Sequence, residues 1–262
     1  MPNSILYFPH GGGPMPLLGD RDHTHMVQFL QSITSEFEPP AAILVVSAHW
    51  EARRTTITSG SSPALFYDYY GFPDEAYKIQ YPAPGDPALA DLIFQLLQEH
   101  EFDARLDAER GFDHGLFVPL KIMYPDAHIP CVQLSLVQGL AAETHIRVGK
   151  ALSALRQKNV LILGSGFSFH NMQAFMSRGG MQDSKNDAFQ KWLIDTCTDL
   201  HLSEQERESR LVHWESAPFA RYCHPREEHL LPLHVCYGIA GTAAKLVFYE
   251  EILGKKSCAF LW

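Results

Sequence analysis

Four short apolar runs divide the chain, and each is continuous rather than alternating. They are Ser4–Pro9, Ala42–Ala48, Pro130–Leu136 and Val160–Gly164. An uninterrupted apolar run of this length is typical of a strand that is buried on both faces of a sheet. The four runs therefore predict the central strands of a covered sheet.

Helical patterns lie between these runs. Asp86 is placed to cap a helix whose apolar stripe extends from Leu89 to Leu97. A second periodic stretch covers Thr144–Arg156. Strands that alternate with helices predict an α/β fold, in which a central, mostly parallel or mixed sheet is covered by helices on both faces. No repeat or domain boundary is evident, so residues 1–262 are expected to form a single domain.

Three segments between the periodic stretches have distinct compositions. Ser59–Gly85 is rich in Pro, Gly, Tyr and Phe, which suggests a lid or a pocket wall rather than a linker. Arg178–Asn186 is polar and contains glycine, so it is expected to be an exposed connection. Ser203–Arg210 is dense in charge and is expected to be a solvated segment.

Composition excludes several classes of function. The 262 residues are 46% hydrophobic and 19% charged, which is enough apolar material for a sizeable core. A formal net charge of −9 argues against nucleic acid or an anionic membrane as a partner. The five cysteines are scattered and form no C-x-x-C pair, so neither a disulfide framework nor a thiolate zinc site is expected. With no secretion signal and no long apolar run, a cytoplasmic location is expected.

Three of the fourteen histidines follow predicted strands. His10 comes after ILYFP, His49 after AILVVSA, and His170 shortly after VLILGSG. Each by itself could simply cap a strand or bond a loop carbonyl. Because open α/β sheets bind ligands outside the carboxyl ends of their strands, the repeated placement favours one shared site at that edge. A metal site at the carboxyl ends of the strands is therefore predicted.

A fourth candidate lies in a segment that is predicted to begin a helix at Arg226. Acidic residues are favourable in a first turn, and Pro232 is tolerated only near a helix start. His229 and His234 are five positions apart, roughly 140° around a helix, so they are not expected to serve the same site. His229 would face a cleft, and His234 would lie in the core. Glu228 is a rival ligand, because iron often uses two histidines and a carboxylate.

His114 belongs to a loop ahead of a predicted apolar helix, Leu116–Met123. The adjacent Asp113 is a candidate to fix the tautomer of His114. The alternative is that Asp113 caps the helix and His114 has no role. The remaining histidines are interpreted as surface residues: His23, His25, His100, His128, His145, His201, His213 and His224.

Histidine ligands are compatible with two chemistries. Three nitrogen or oxygen ligands on one face of iron(II) leave room for a substrate and dioxygen together. The same ligands on zinc would leave a position for an activated water and hydrolysis. The additional histidines favour the first, because a catechol must lose a hydroxyl proton and a proton must later be returned. His170 and His114 are therefore expected beside the substrate rather than on the metal.

Several longer stretches, in this order along the chain, form a specific combination: PHGGGPMPLLG, VVSAHWE, YGFPDEAYKIQYPAPGDPALA, RGFDHGLFVPLKIMYPDAHIPCVQLSL, LILGSGFSFHNM and EEHLLPLHVCYG. Together they resemble the class III extradiol ring-cleavage dioxygenases of the LigB type, and within that family the branch of the 4,5-DOPA extradiol dioxygenases. The resemblance implies an α/β sandwich that needs no separate small subunit. It also implies ring opening of a catechol by O2 to a muconic semialdehyde.

The resemblance further implies that His10, His49 and His229 hold iron(II), with His170 as the main acid/base and His114 orienting substrate or dioxygen. Zinc(II) is also plausible in the purified protein, with His170 as a fourth contact, and Glu228 remains the rival to His229. No substrate-binding residue is identified. The alternatives are a zinc-dependent hydrolase with the same histidines and a non-catalytic binding protein. A monomer and a homodimer are both left open.

Two departures from the family pattern border the proposed pocket. Where relatives often read G-H-G-S-P, this chain has one more residue between His10 and Pro14. Residues Phe167–Phe169, ahead of His170, are bulkier than the small or aliphatic residues that are more usual there. Both changes bear on the identity of the substrate.

Overall fold

The computed structural model describes residues 5–176 and 183–262. Within them, eight strands form one sheet. Their bounds are β1 Ile5–Pro9, β2 Ala42–Ala52, β3 Thr55–Thr58, β4 Ala104–Asp107, β5 Cys131–Val137, β6 Val160–Gly166, β7 Lys245–Ile252 and β8 Lys255–Leu261. The strands are arranged in the order β4-β3-β5-β2-β6-β1-β8-β7.

The centre of the sheet is parallel and its borders are mixed. Strands β1, β6, β2 and β5 run parallel to one another, while β3 is antiparallel to β5 and β8 is antiparallel to both β1 and β7. Every residue of β1 and β6 is buried, as the continuous apolar runs predict. The predicted α/β fold with a mixed sheet is confirmed. Ser4, at the start of the first predicted run, lies outside the described residues.

Four strands escaped the sequence analysis because they lack a continuous apolar run. β3 reads TTIT and β4 reads ARLD, so both are short and largely polar. β7 and β8 form an antiparallel hairpin that carries lysines and glutamates on its exposed positions. β3 and β8 join the sheet by pairing with β5 and β1, and β4 and β7 form its edges by pairing with β3 and β8. A one-dimensional pattern does not reveal such pairing.

Helices cover both faces of the sheet. Alternate residues of one strand belong to opposite cores: Ile5 lies in the core that includes Leu89 of a helix, and Leu6 lies in the core that includes Leu30 of another. This arrangement confirms the predicted three layers. The helices of the described residues are α1 Thr24–Ile33, α2 Pro87–Glu99, α3 His114–Met123, α4 Ala142–Ala151, α5 Met172–Met176, α6 Ser184–Thr198, α7 Glu204–Val212, α8 Ala220–Cys223 and α9 Leu231–Ala240.

Two helix predictions agree with the structure in outline. The Asp86 carboxylate accepts a hydrogen bond from the backbone N–H of Leu89 at 3.0 Å, so it caps α2 as predicted. The periodic stretch Thr144–Arg156 is divided, because α4 ends at Ala151 and a short 3-10 helix follows over Ser153–Gln157.

Two predicted irregular segments contain helix. Ser203–Arg210 is not a solvated loop: Ser203 and Glu206 form a capping box at the start of α7. Arg207 is buried and donates to the carbonyls of Thr196 and Asp199 at the end of α6, which explains why a charged segment folds here. In the predicted connection Arg178–Asn186, residues 178–182 lie outside the described residues and residues 184–186 belong to α6. No helix in 5–176 or 183–262 has both the length and the apolar character that a bilayer crossing requires.

Candidate metal centre

The structure brings His10, His49 and His229 together at one edge of the sheet. The Nε2 atom of His49 lies 2.9 Å from that of His10 and 3.3 Å from that of His229. His10 follows the last residue of β1, and His229 lies in the turn before α9. His49 lies within β2, not after it, in a stretch where the pairing of β2 with β5 changes register. The predicted gathering of histidines near the strand ends is thus present.

Hydrogen bonds on the far side of the rings determine which nitrogen carries the proton. The Ser165 hydroxyl donates to the carbonyl of Gly115 at 2.5 Å, so its oxygen accepts from Nδ1–H of His10 at 3.0 Å. Nδ1–H of His229 donates to the Glu228 carboxylate at 3.0 Å. Each of these rings therefore presents an unprotonated Nε2 to the common centre.

The arrangement fits a divalent metal ion. The Nε2 atoms of His10 and His49 lie 2.9 Å apart, and if both were unprotonated they would repel each other unless a cation lay between them. Imidazole nitrogens that lie about 2.1 Å from one ion, at angles between 90° and 110°, are roughly 3.0–3.4 Å apart. Burial, together with the neighbouring histidines, holds the pKa values of His10, His49 and His229 well below the usual range. The rings thus stay neutral, which is the form that binds a metal.

His229 is held by its backbone as well as by its ring. Its carbonyl accepts from the Tyr7 hydroxyl at 3.1 Å and from the backbone N–H of Phe167 at 2.9 Å. Gly166 allows this close approach, because a Cβ there would lie 2.2 Å from the same carbonyl oxygen. The sheet thereby fixes the turn that carries His229.

The predicted helix start at Arg226 is wrong. α9 begins at Leu231, and the acidic residues precede it in a turn closed by the bond from the Leu230 N–H to the Glu227 carbonyl. The contacts of the His229 carbonyl with the sheet stabilise this turn, so the first turn of a helix does not form here. Pro232 does lie at the helix start, as predicted.

Glu228 contacts the back of the His229 ring. The same Glu228 oxygen, Oε1, lies 3.0 Å from Nδ1 of His229 and 3.2 Å from Nδ1 of His170. Burial acts to raise the pKa of this carboxyl, but the hydrogen bond with His170 and the nearby charges outweigh it and lower the pKa. The other oxygen faces Arg226 at 3.3 Å, and Arg226 also pairs with Glu51.

His170 lies beside the three converging histidines. The backbone N–H of His170 donates to the carbonyl of Cys223 at 2.9 Å, which anchors the segment that follows β6. The ring is partly exposed and stacks on that of His229. His170 therefore reaches the site from the third strand end, as the sequence predicts.

His114 begins α3, two residues earlier than predicted. Its partner is not the adjacent Asp113. Instead Asp113 points into the core, where it accepts from Ser47 at 2.8 Å, from Arg110 at 3.2 Å and from Gln133. The Asp113 side chain does not cap α3 either, although Asp113 is the residue that precedes the helix.

The partner of His114 is Asp68, from the distant aromatic segment. Asp68 Oδ1 accepts from Nδ1–H of His114 at 2.8 Å and from its backbone N–H at 3.0 Å. The ring centroid of His114 lies 3.9 Å from that of His49 and 5.5 Å from that of His10. Five histidines thus share one region of the described structure.

Two sets of potential donor atoms, with no residue in common, are present, and within each set the atoms lie within 4.8 Å of one another. One set comprises His10, His49 and His114, and the other comprises His170, Glu228 and His229. In the second set Glu228 lies on the Nδ1 side of both rings, away from the Nε2 atom that His229 turns to His49. Glu228 therefore lies behind the His229 ring, where a carboxylate can orient an imidazole.

The prediction of a surface position is wrong for three histidines, which are buried. They are His23, His145 and His224. His23 supports the site: its Nδ1 bonds Asp20 at 2.6 Å, and its Nε2 accepts from the backbone N–H of Gly12 at 2.9 Å. Asp20 and His23 together hold the glycine loop that follows His10. The sequence did offer a sign of this pair, because Asp20 lies three residues before His23.

The interpretation of His234 as a core residue is confirmed. The side chain is fully buried and its two ring nitrogens face the carbonyls of Leu230 and Leu211, at 3.2 and 2.9 Å. It belongs to the packing of α9 and not to the histidine cluster.

Comparison with known proteins agrees with this architecture. The family model described as the catalytic LigB subunit of aromatic ring-opening dioxygenase matches residues 7–261. The protein named dioxygenase tasH from Hapsidospora irregularis is 37% identical, over 98% of this chain and 85% of its own length. Proteins named 4,5-DOPA dioxygenase extradiol are 35% identical in Mirabilis jalapa, over 91% of this chain and 87% of that one, and 36% identical in Escherichia coli, over 87% and 82%.

A solved structure is also similar. The crystal structure of the uncharacterized protein JW3007 from Escherichia coli has a TM-score of 0.81 and 30% sequence identity, and the match covers 99% of both chains. The resemblance seen in the sequence motifs is confirmed. The chain belongs to the LigB family of aromatic ring-opening dioxygenases.

Proposed function

We propose that residues 1–262 form the single catalytic domain of a non-haem iron(II) extradiol dioxygenase. Its substrates would be a catechol, DOPA-like or related, and O2, and its product a muconic semialdehyde. The observation that carries the proposal is the convergence of the Nε2 atoms of His10, His49 and His229. Nε2 of His49 lies 2.9 Å from that of His10 and 3.3 Å from that of His229. Relatives named 4,5-DOPA dioxygenase extradiol, in Mirabilis jalapa and Escherichia coli, support a DOPA-like substrate.

His10, His49 and His229 would hold the metal, because each can offer an unprotonated nitrogen to the same point. Iron(II) bound by three ligands on one face supplies open positions at which a catechol and O2 can react together. Zinc(II) accepts the same donors and ranks above iron(II) in affinity, so we expect it to compete for the site during purification.

His170 would be the main acid/base group. With Nδ1 bound to Glu228, it has Nε2 available to take a hydroxyl proton from the catechol and to return a proton later. The carboxylate stabilises the ring while it carries the extra proton. Partial exposure of the His170 side chain leaves it accessible to a substrate.

His114 would orient the substrate or dioxygen. Because its Nδ1–H is engaged by Asp68, Nε2 is the nitrogen that remains for a hydrogen bond within the site. The side chain is buried beside His49, where a hydrogen bond is less weakened by water.

The test is oxygen uptake by protein loaded anaerobically with iron(II). DOPA, protocatechuate and simpler catechols are supplied, and uptake is followed together with the visible absorption of the ring-opened product. We expect one O2 consumed for each catechol opened, and no uptake by zinc-loaded protein. Absence of uptake with iron present in the site would refute the proposal for those catechols, and ester or amide hydrolysis by the zinc form would establish the alternative.

A further inference from the structure

The segment Ser59–Gly85, here called the aromatic loop, is fastened to itself and to the protein. The hydroxyl of Tyr67 donates to the carbonyl of Ile79, and that of Tyr69 to the carbonyl of Ala76, both at 2.6 Å. Both rings also contact Phe117 of α3, with centroids 5.8 and 6.3 Å away. Of the two predicted roles, a lid and a wall, these contacts favour a fixed wall.

Asp68 carries the aromatic loop into the histidine cluster. Its Oδ1 accepts two hydrogen bonds from His114, one from the ring and one from the backbone. Its Oδ2 lies 3.6 Å from Nδ1 of His49. One carboxylate, only 11% exposed, thus faces a proposed metal ligand and a proposed substrate-orienting histidine at once.

The charge of Asp68 is not matched by an arginine or a lysine in the ion pairs found in the described residues. Both of its ion-pair partners are histidines, whereas the buried Asp113 nearby is paired with Arg110. A carboxylate without a permanent cation beside it is costly to bury unless its hydrogen bonds are retained. The two bonds to His114 therefore have to be kept, and they determine the tautomer and the orientation of that ring.

We propose that Asp68 is a positioning residue that acts on the ring-opening reaction through His114. This proposal rests on the proposed function for the assignment of His114 to the reaction. By holding Nδ1–H, Asp68 prevents rotation of the imidazole and keeps Nε2 as the nitrogen offered to the reactants. Glu228 likewise contacts one proposed ligand, His229, and one proposed catalytic histidine, His170. Each proposed catalytic histidine thus shares a carboxylate with a proposed metal ligand.

The test compares Asp68→Asn and Asp68→Ala with Tyr67→Phe. Asn retains an acceptor oxygen but removes the charge, and Ala removes both. Tyr67→Phe removes a different anchor of the aromatic loop, at Ile79, and leaves His114 untouched. Each protein is measured for iron content, for kcat and KM, and for the Nδ1–H proton of His114 by NMR in the metal-free state, with His114→Gln to assign that signal.

We expect kcat to fall about 10- to 100-fold in Asp68→Asn and further in Asp68→Ala, with a smaller change in KM, since carboxylates behind functional histidines have effects of this size. The protected Nδ1–H signal should shift in the Asn variant, disappear in the Ala variant and persist in Tyr67→Phe, whose kcat should be unchanged. An unchanged kcat and a persistent signal in Asp68→Ala would overturn the proposal.

The two proposals fail in different ways. If the unmodified protein consumes no oxygen with iron bound, the proposed function fails, and the NMR signal still reports whether Asp68 positions His114. If Asp68→Ala does not fold, the Asn variant supplies both readouts. If kcat of Asp68→Ala stays at the level of Tyr67→Phe, Asp68 serves only as an anchor of the aromatic loop.

Discussion

The imidazole of His170 stacks on that of His229, with ring centroids 3.4 Å apart and 15° between the ring planes. Both rings turn Nδ1 to the same oxygen of Glu228. The carboxylate therefore connects the proposed acid/base to the proposed ligand, and a substitution of Glu228 should affect both.

Loss of a ligand and loss of its supporting carboxylate should differ in size. We expect His229→Ala to abolish stoichiometric iron binding, and Glu228→Gln to weaken it only about 10- to 100-fold, because Glu228 acts through the Nδ1–H of His229. Metal titration monitored by elemental analysis after gel filtration measures both. The opposite order would identify Glu228 as the ligand and His229 as its support.

Removal of the proposed acid/base should lower turnover without releasing the metal. For His170→Ala we expect kcat to fall roughly 100- to 10,000-fold, the usual contribution of general acid–base catalysis, with iron content unchanged. His213→Ala is the control, since that exposed ring only bonds the carbonyl of Ser209 within its own helical turn. Release of iron from His170→Ala would instead make His170 a fourth metal contact.

The close approach of the sheet to His229 should be sensitive to a single methyl group. Gly166→Ala would place Cβ 2.2 Å from the His229 carbonyl, and Gly238→Ala would place it at the same distance from the carbonyl of Ile146, at the contact of α9 with α4. We expect each to cost about 1–3 kcal/mol of stability. Only Gly166→Ala should weaken metal binding by the folded protein. Equal metal affinities in the two variants would contradict this account of how His229 is held.

Buried histidines should make the metal-free protein less stable in mild acid. The backbone N–H of Val137 donates to Nε2 of His145 at 3.1 Å, and Nδ1–H of that ring donates to Ala141 at 2.8 Å, so the neutral form is required. Burial lowers the pKa of His145 to about 4. Because the unfolded chain, with a pKa near 6.5, binds the proton first, stability is complete above that pH and declines as the pH falls towards 4.

Replacement of His145 tests whether stability declines with falling pH as predicted. His145→Gln should be less stable than the unmodified protein at pH 7, and the difference should narrow by roughly 1.4 kcal/mol for each pH unit between 6.5 and 4. Urea unfolding at a series of pH values, in the presence of a chelator, measures the free energy of unfolding of both. A difference that stays constant with pH would show that His145 does not carry this dependence.

Much of the fold could be predicted because the central strands are apolar along their whole length. The runs that contain Ile43 and Leu161 are buried on both faces, and such runs are visible in one dimension. Edge strands such as β4 are visible only through their pairing, because their side chains are partly exposed and their composition is not distinctive. A segment rich in charge, around Arg207, looked solvated because its buried partners are carbonyls of another helix.

The sequence by itself determined where the histidines enter the site. His10 follows β1 and His49 lies in the last part of β2. Parallel strands end at the same edge of a sheet, so the direction of the chain brings these histidines together. The family motifs, which are also continuous in sequence, carried the remaining assignment.

Only the tertiary structure decided which group supports which histidine. His114 is served by Asp68, 46 residues away, and not by its neighbour Asp113. His23, which looked like a surface residue, proved to be buried and bonded to the glycine loop. Apolar periodicity is a local property that the sequence displays directly, whereas the partner of a buried polar group depends on which distant segment comes within hydrogen-bonding distance once the cores have packed.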